Sequence, residues 1–307
     1  MTVLTIAAQP GQDHAPRPLP WRRMAWVTWR QHRATLIALP AILGAVSVFL
    51  LVAGLRIHHD YAVLTACRPF QSRACQNLNM SFNQTDWTIG NTLLILMNLA
   101  PALLGAFAGA PVLARELETG TFRYAWTQGY GRVRWTIAKL TLLAVAVVAV
   151  TGAFSQLFTW FFRPFIAQED LNVLTATVFG TRGLVFAAWT LVAFAFGAFL
   201  GMLFRRIIPA MAVTLGVYIG LALLTWSFLR KYYVPSVVTS SPAFESGPIT
   251  PQDPWVLSHW FVGSTRWTRY IPVSRFWPMQ FVEAGWLLVL SVLLIAATVW
   301  LVRRRAA

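Results

Sequence analysis

The sequence is poor in charged residues. Only 11% of its 307 residues are Asp, Glu, Lys or Arg, whereas 57% are hydrophobic; soluble domains carry roughly a quarter charged residues. A run of about 20 apolar residues is long enough to cross a bilayer as a helix. Uncharged runs of this length occupy residues 34–55, 92–114, 140–162, 183–204, 207–229 and 284–302. The sequence therefore predicts an all-α polytopic membrane protein with about six transmembrane helices.

Lysine is almost absent, with only Lys139 and Lys231 in the chain. Neither lies in a G-K-[ST] sequence, which excludes a P-loop for ATP phosphates. The histidines form no HExxH motif, and no acidic pair typical of magnesium-dependent membrane enzymes is found. The six runs also lack the ionisable residue by which ion-coupled carriers usually work. We therefore expect no metal, no cofactor and no enzyme activity in this chain.

Cysteine is equally scarce. Cys67 and Cys75 both fall in the first loop predicted to face outward. An oxidising exterior permits a disulfide there, although two reduced cysteines fit the sequence equally well.

The basic residues flank the apolar runs instead of forming one patch, although the net charge is +15. They cluster in residues 17–33, 115–139, 205–206 and 303–305. With six spans these clusters share one side, which the positive-inside rule makes the cytoplasm. This pattern predicts cytoplasmic termini and contact with membrane lipids, and it argues against a nucleic-acid partner. The preference for Arg over Lys suggests a bacterial cell membrane.

The first twenty residues are Pro-rich and polar, and they predict a disordered cytoplasmic tail before a single transmembrane domain at residues 21–307. Residues 21–33 mix Trp and Arg and predict an N-terminal interfacial helix, or alternatively a simple positive stop before the first span.

The first connection between spans on the basic side, residues 115–139, is far longer than a turn between two helices needs. It is called the first connection below. Its Gly120 can end one helix and its Thr121 can cap the next. A helix lying across the cytoplasmic mouth is the favoured interpretation, and an aromatic anchor in the headgroup layer is the alternative.

The last outward loop, residues 230–283, is rich in Pro and Trp. Residues 276–282 are too short to span and predict a re-entrant segment before the last helix. The sequence assigns no role to the rest of this loop.

The stretch of residues 109–139 contains a characteristic set of charged, small and aromatic residues: Glu116, Glu118, Gly120, Thr121, Trp126, Thr127, Gln128, Arg132, Arg134, Trp135 and Lys139. With these residues it resembles the first cytoplasmic loop of type-2 ATP-binding-cassette (ABC) permeases, notably the actinobacterial ones. Residues 272–285, with Arg275, Gln280 and Glu283, are similar to the same family's re-entrant segment.

The resemblance implies an exporter permease whose first cytoplasmic loop couples to a separate cytosolic ABC ATPase subunit, which would bind Mg-ATP. It also implies a second permease subunit, identical or different. A lipid-acting membrane enzyme and a membrane sensor or assembly factor remain the alternatives. Polar residues in the second and fifth runs would line the substrate pathway or, alternatively, pack helices; they are Asn91, Asn98, Thr214, Tyr218 and Thr225.

The charge pattern makes a testable prediction about topology. Reporter fusions at residue 15 and after Ala307 should both be active only in the cytoplasm, because an even number of spans separates the two basic ends. A fusion that is active outside the membrane at either position contradicts the six-span arrangement.

Overall fold

The computed structural model describes residues 21–69, 71–120, 132–168, 172–242 and 255–305. Its α-helices are α1 Trp21–Ala66, α2 Arg73–Ser81, α3 Trp87–Leu104, α4 Pro111–Glu118, α5 Arg132–Phe161, α6 Arg163–Ala167, α7 Ala176–Phe179, α8 Gly183–Phe204, α9 Ile207–Leu224 and α10 Phe276–Arg305. Single-turn π segments at Phe82–Asp86, Gly105–Gly109 and Thr225–Leu229 join α2 to α3, link α3 towards α4 and extend α9.

Six helical segments in the described residues are long and apolar enough to cross a membrane. They are Ala41–Ala66, Arg73–Glu118, Val133–Phe161, Gly183–Phe204, Ile207–Tyr232 and Val273–Arg304. The predicted six-helix membrane fold is thereby confirmed. The second segment is 46 residues long because its helical structure begins at Arg73, well before the apolar run of residues 92–114, and continues to Glu118.

The predicted interfacial segment and the first apolar run form one continuous helix, the 46-residue α1. At 1.5 Å per residue, such a helix is about 70 Å long, more than twice a hydrocarbon core. Leu50 and Ile57 of α1 lie in a buried cluster with Phe158 and Phe161 of α5. This cluster fastens the first span to the third.

The helix α8 lies at the centre of the bundle. It packs against α3, α4, α5, α9 and α10. Within an apolar stretch of 18 residues, 78% of its residues are buried within the chain, against 17% for the corresponding stretch of the first span. Its hydrophobicity on all sides is what a helix surrounded by other helices requires.

Glycine allows α8 to approach the second span closely. A Cβ on Gly105 would lie 2.6 Å from the Ala193 carbonyl oxygen, and one on Gly109 would lie 2.6 Å from the Phe194 carbonyl oxygen. On the α8 side, a Cβ on Gly201 would lie 2.5 Å from the Ala110 carbonyl oxygen. Small residues four positions apart on both helices are typical of tightly packed membrane helices.

The last loop, which the sequence predicts to face outward, contains a small sheet in addition to the helices. Strands β1 Val237–Pro242, β2 Trp255–Val262 and β3 Thr265–Ile271 pair antiparallel in the order β1-β3-β2. Gly263 adopts a φ of +60° in the two-residue turn between β2 and β3, as such tight hairpins require. Ile271, at the end of β3, is fully buried in the same cluster as Met279 and Leu287 of α10. The sheet is thus anchored to the helical core.

Residues 276–282, predicted to be re-entrant, form the first turns of α10 and continue without a break into the last span. In the first loop, which the sequence predicts to face outward, Cys67 and Cys75 are joined by a disulfide, with their Cα atoms 5.8 Å apart. Ser72 lies inside this small ring and caps α2 by accepting a hydrogen bond from the Cys75 amide.

The glycine contact predicts an asymmetry between two Gly→Ala substitutions. Gly197→Ala places a methyl group against the Gly105 carbonyl and 2.6 Å from the Ala110 nitrogen, and overpacking of this kind costs about 1–3 kcal/mol. Gly220→Ala is the matched control, since a Cβ there meets nothing within 4 Å. Thermal melting in detergent should show a loss for Gly197→Ala alone; equal melting temperatures would contradict the close contact.

Candidate functional site

A buried ion pair closes the base of the first connection, at the end of the bundle where α4 ends and α5 begins. We call this the basic end. The Lys139 ammonium donates to Glu116 Oε1 at 2.7 Å and to the Val112 carbonyl at 2.7 Å. The Lys139 side chain is fully buried, whereas that of Glu116 is 16% exposed. Because lipid offers no hydrogen bonds to an ammonium group, this pairing is what permits Lys139 to lie inside the helix bundle.

Glu118 makes a second link at the basic end. Its Oε2 accepts a hydrogen bond of 3.1 Å from the backbone amide of Ile207, the first residue of α9. The turn before it is tight, since Arg205 ends α8 with a φ of +56°. A carboxylate at a helix N-terminus is favoured by the helix dipole and by the unpaired amides there. The two glutamates therefore connect the end of α4 to both α5 and α9.

The remaining predicted coupling residues are placed in part. Gly120, directly after the C-cap residue Thr119 of α4, has a φ of +71°, as expected of the glycine that follows a helix end. Arg132 is the first residue of α5. Arg134, the third residue of that helix, is half-buried. Thr121 and Trp126, together with the predicted helix across the cytoplasmic mouth, lie outside the described residues.

A second buried ion pair lies at the opposite end of the bundle, which carries the sheet and is called the sheet end. Arg230 Nε donates to Glu283 Oε2 at 2.8 Å, and its terminal nitrogen donates to Oε1 at 2.7 Å. Arg230 also donates to the Ala176 carbonyl at 3.2 Å and lies 4.5 Å from the centre of the Phe179 ring. Trp189 of α8 donates to Glu283 Oε1 at 2.8 Å. Both charged groups are buried, and each is held by two or more partners.

This second pair is not apparent in the sequence, because its two members lie 53 positions apart and each stands just outside an apolar run. The sequence interpretation assigned both residues to the outer loop. The structure instead puts Glu283 within α10, two turns from its start, and Arg230 at the end of the fifth span. One signal in the sequence could have indicated this pair. An acid and a base stand at the ends of successive spans, on the same side of the membrane.

Gln280 extends the network between α10 and α8. Its carbonyl accepts from the Val185 amide at 3.1 Å, and its amide donates to the Phe179 carbonyl at 3.2 Å. Gly183 has a φ of +64°, and a Cβ there would lie 2.8 Å from the Gln280 oxygen. The start of α8 is therefore shaped to receive this side chain.

Tyr233 lies beside the same network and accepts a hydrogen bond of 2.9 Å from the indole nitrogen of Trp286. Burial, followed by the negative charge of Glu283, raises the pKa of Tyr233 above its ordinary value. Its hydroxyl, like that of an ordinary tyrosine, is neutral at physiological pH, so it accepts this hydrogen bond without adding a buried charge.

A family model described as "ABC-2 membrane transporter related" matches residues 40–230 of the 307. The chain belongs to this family. The match supports the permease role and takes in the first connection with both of its glutamates; it ends at Arg230, before the sheet and α10. No curated protein and no solved structure matches the chain in the corresponding comparisons.

The polar residues suggested for a substrate pathway in this permease are distributed over different environments. Thr214 and Thr225 are fully buried and donate to carbonyls one turn earlier in their own helix. Tyr218 packs edge-on against Trp189, with ring centres 5.4 Å apart. Asn98 donates to the Leu94 and Thr177 carbonyls, whereas Asn91 is exposed. Their role in a substrate pathway stays a prediction.

The Arg230–Glu283 pair predicts a double-mutant pattern. Glu283→Ala leaves Arg230 buried without its carboxylate, which costs about 3–5 kcal/mol of folding free energy. The double variant Arg230→Met/Glu283→Leu should recover most of this loss, because it removes both charges.

The exposed pair Arg56–Asp60 supplies the control; its Arg56 Nε and Asp60 Oδ2 atoms are 3.5 Å apart. Asp60→Ala should cost less than about 1 kcal/mol. Melting temperatures in one detergent test the set, and a double variant as unstable as Glu283→Ala would count against this account.

Proposed function

We propose that this ABC-2 permease is the membrane subunit of an exporter and that a separate cytosolic ATPase drives it through the first connection. The ATPase would bind Mg-ATP, and a second permease subunit would complete the pathway. Both termini and the basic end would then face the cytoplasm at the bacterial cell membrane. The P-loop missing from the sequence supports the division of labour, since energy from ATP must come from another chain.

The observation that carries the proposal is the pair of links made by Glu116 and Glu118. Glu116 ties α4 to α5 through Lys139, and Glu118 ties α4 to the first residue of α9. A displacement of the connection between Gly120 and Arg132 therefore acts on three spans together. A loop that served only as an aromatic anchor would need neither link.

These links can transmit movement because each joins rigid elements. The Lys139 ammonium is buried and has two hydrogen-bond partners, so its separation from Glu116 would leave an uncompensated charge. Such a contact moves with its helices and does not stretch. Packed interfaces change between discrete arrangements, which is how movement at one end of a bundle reaches the other.

The proposal predicts the behaviour of the double variant Glu116→Ala/Glu118→Ala. It should remain inserted in the membrane but lose transport-coupled ATP hydrolysis or lose the ATPase itself, because α4 is no longer tied to α5 and α9. The measurement is pull-down of the tagged permease from its native membranes, with the bound nucleotide-binding protein identified by mass spectrometry and its ATPase activity assayed.

Two further variants separate coupling from folding. Glu116→Leu/Lys139→Met removes the buried charge pair as a whole, which should preserve much of the stability while still impairing coupling. Asp60→Ala removes an acid outside this region and should retain the ATPase. If the double Glu→Ala variant binds and stimulates its ATPase as wild type does, the connection is an anchor only.

A further inference from the structure

An open cleft of about 540 Å³ lies at the sheet end, between the end of the fifth span and the sheet. Lys231, Tyr232 and Ser236 line it on one side, and Ser258 and Arg269 line it on the other. Ser258 and Arg269 are directly opposite each other on β2 and β3. The cleft therefore brings two cations and three hydroxyl groups to one concave surface.

The two cations of this cleft are available to bind an anion. Within the described part of the chain, neither Lys231 nor Arg269 belongs to a salt bridge, whereas the adjacent Arg230 is neutralised by Glu283. Both side chains are exposed and rest on aromatic rings instead. Lys231 lies 5.1 Å from the centre of the Tyr232 ring, and Arg269 lies 5.9 Å from that of Trp260. A ring holds a cation in place without cancelling its charge.

The position of the cleft relative to the membrane indicates which kind of anion it binds. Lys231 and Tyr232 are the last two residues of the fifth candidate span, Ile207–Tyr232, so the cleft opens where that span leaves the hydrocarbon. Phe228, one turn deeper, is 59% exposed, and Tyr232 is 77% exposed. Aromatic and basic side chains at this level lie among lipid headgroups. The binding surface of the protein thus has a cationic part at the level of the headgroups and an apolar part closer to the membrane centre.

We infer that this cleft binds the phosphate of an anionic phospholipid from the leaflet at the sheet end. Lys231 and Arg269 contact the phosphate, the serine hydroxyls donate to its oxygens or to the polar headgroup, and the acyl chains descend past Phe228. This site is independent of the coupling connection, which lies at the other end of the bundle.

The test compares lipid binding by the purified permease and its Lys231→Gln/Arg269→Gln variant. Native mass spectrometry with phosphatidylglycerol and phosphatidylcholine measures the lipid retained by each. Loss of both basic groups near the membrane surface should weaken phosphatidylglycerol binding about thirtyfold. Phosphatidylcholine binding should be weaker in wild type and little changed by the substitutions.

Matched variants guard against a general effect of charge. Arg68→Gln/Arg73→Gln removes two exposed basic groups from the same end of the bundle, outside the cleft, and should bind phosphatidylglycerol as wild type does. Lys231→Arg/Arg269→Lys keeps both charges and should retain most of the binding. Unchanged melting temperatures confirm that each variant is folded.

Three results would overturn the inference. One is equal retention of the two lipids by wild type. Another is the same loss in the Arg68/Arg73 control, which would show a dependence on net charge. The third is competition by soluble glycerol phosphate at the lipid's own concentration, which would show a site for a free phosphate in place of a membrane lipid.

Discussion

The bundle depends on the close approach of α8 to the second span. Membrane helices gain little from burying apolar side chains against each other, because lipid is as apolar as leucine. Their association rests on short-range packing, and the glycines at 105, 109, 197 and 201 permit backbone contact that no larger residue would allow. All the other spans of the described chain except the first then pack against α8. A small loss of packing at this contact would therefore destabilise the whole bundle.

The same solvent explains the two buried ion pairs. A charged group in the membrane is stable only with internal partners, and Lys139 and Arg230 each have a carboxylate together with a backbone carbonyl. The pairs lie at opposite ends of the bundle. The first joins two successive helices, and the second joins residues that are 53 positions apart. Glu116 connects α4 to α5, and Glu283 connects α10 to α8 and to the end of the fifth span. Pairs of this kind hold particular helix ends together.

The family match covers one part of the chain, and the sheet and α10 lie beyond it. Residues 40–230 contain the first four candidate spans, all but the last two residues of the fifth, and the first connection, and they carry the family relationship. The sheet and α10 follow that region. They supply Glu283 to the buried network and Arg269 to the cationic cleft. The part of the chain beyond the family match is therefore built into the core through Arg230, the last matched residue.

The sequence by itself determined the number of spans, because lipid demands apolar runs of a minimum length and these can be counted. It also indicated the family, since the residues around Glu116 and Glu118 are contiguous. The tertiary structure alone decided the partner of Arg230, the contact between α8 and the second span, and the bond between Cys67 and Cys75. Each depends on which faces meet and at what distance, and a linear pattern does not contain that distance. The sheet belongs to the same group, because its strands are short, half-exposed and paired across a Pro-rich segment that carries no regular alternation.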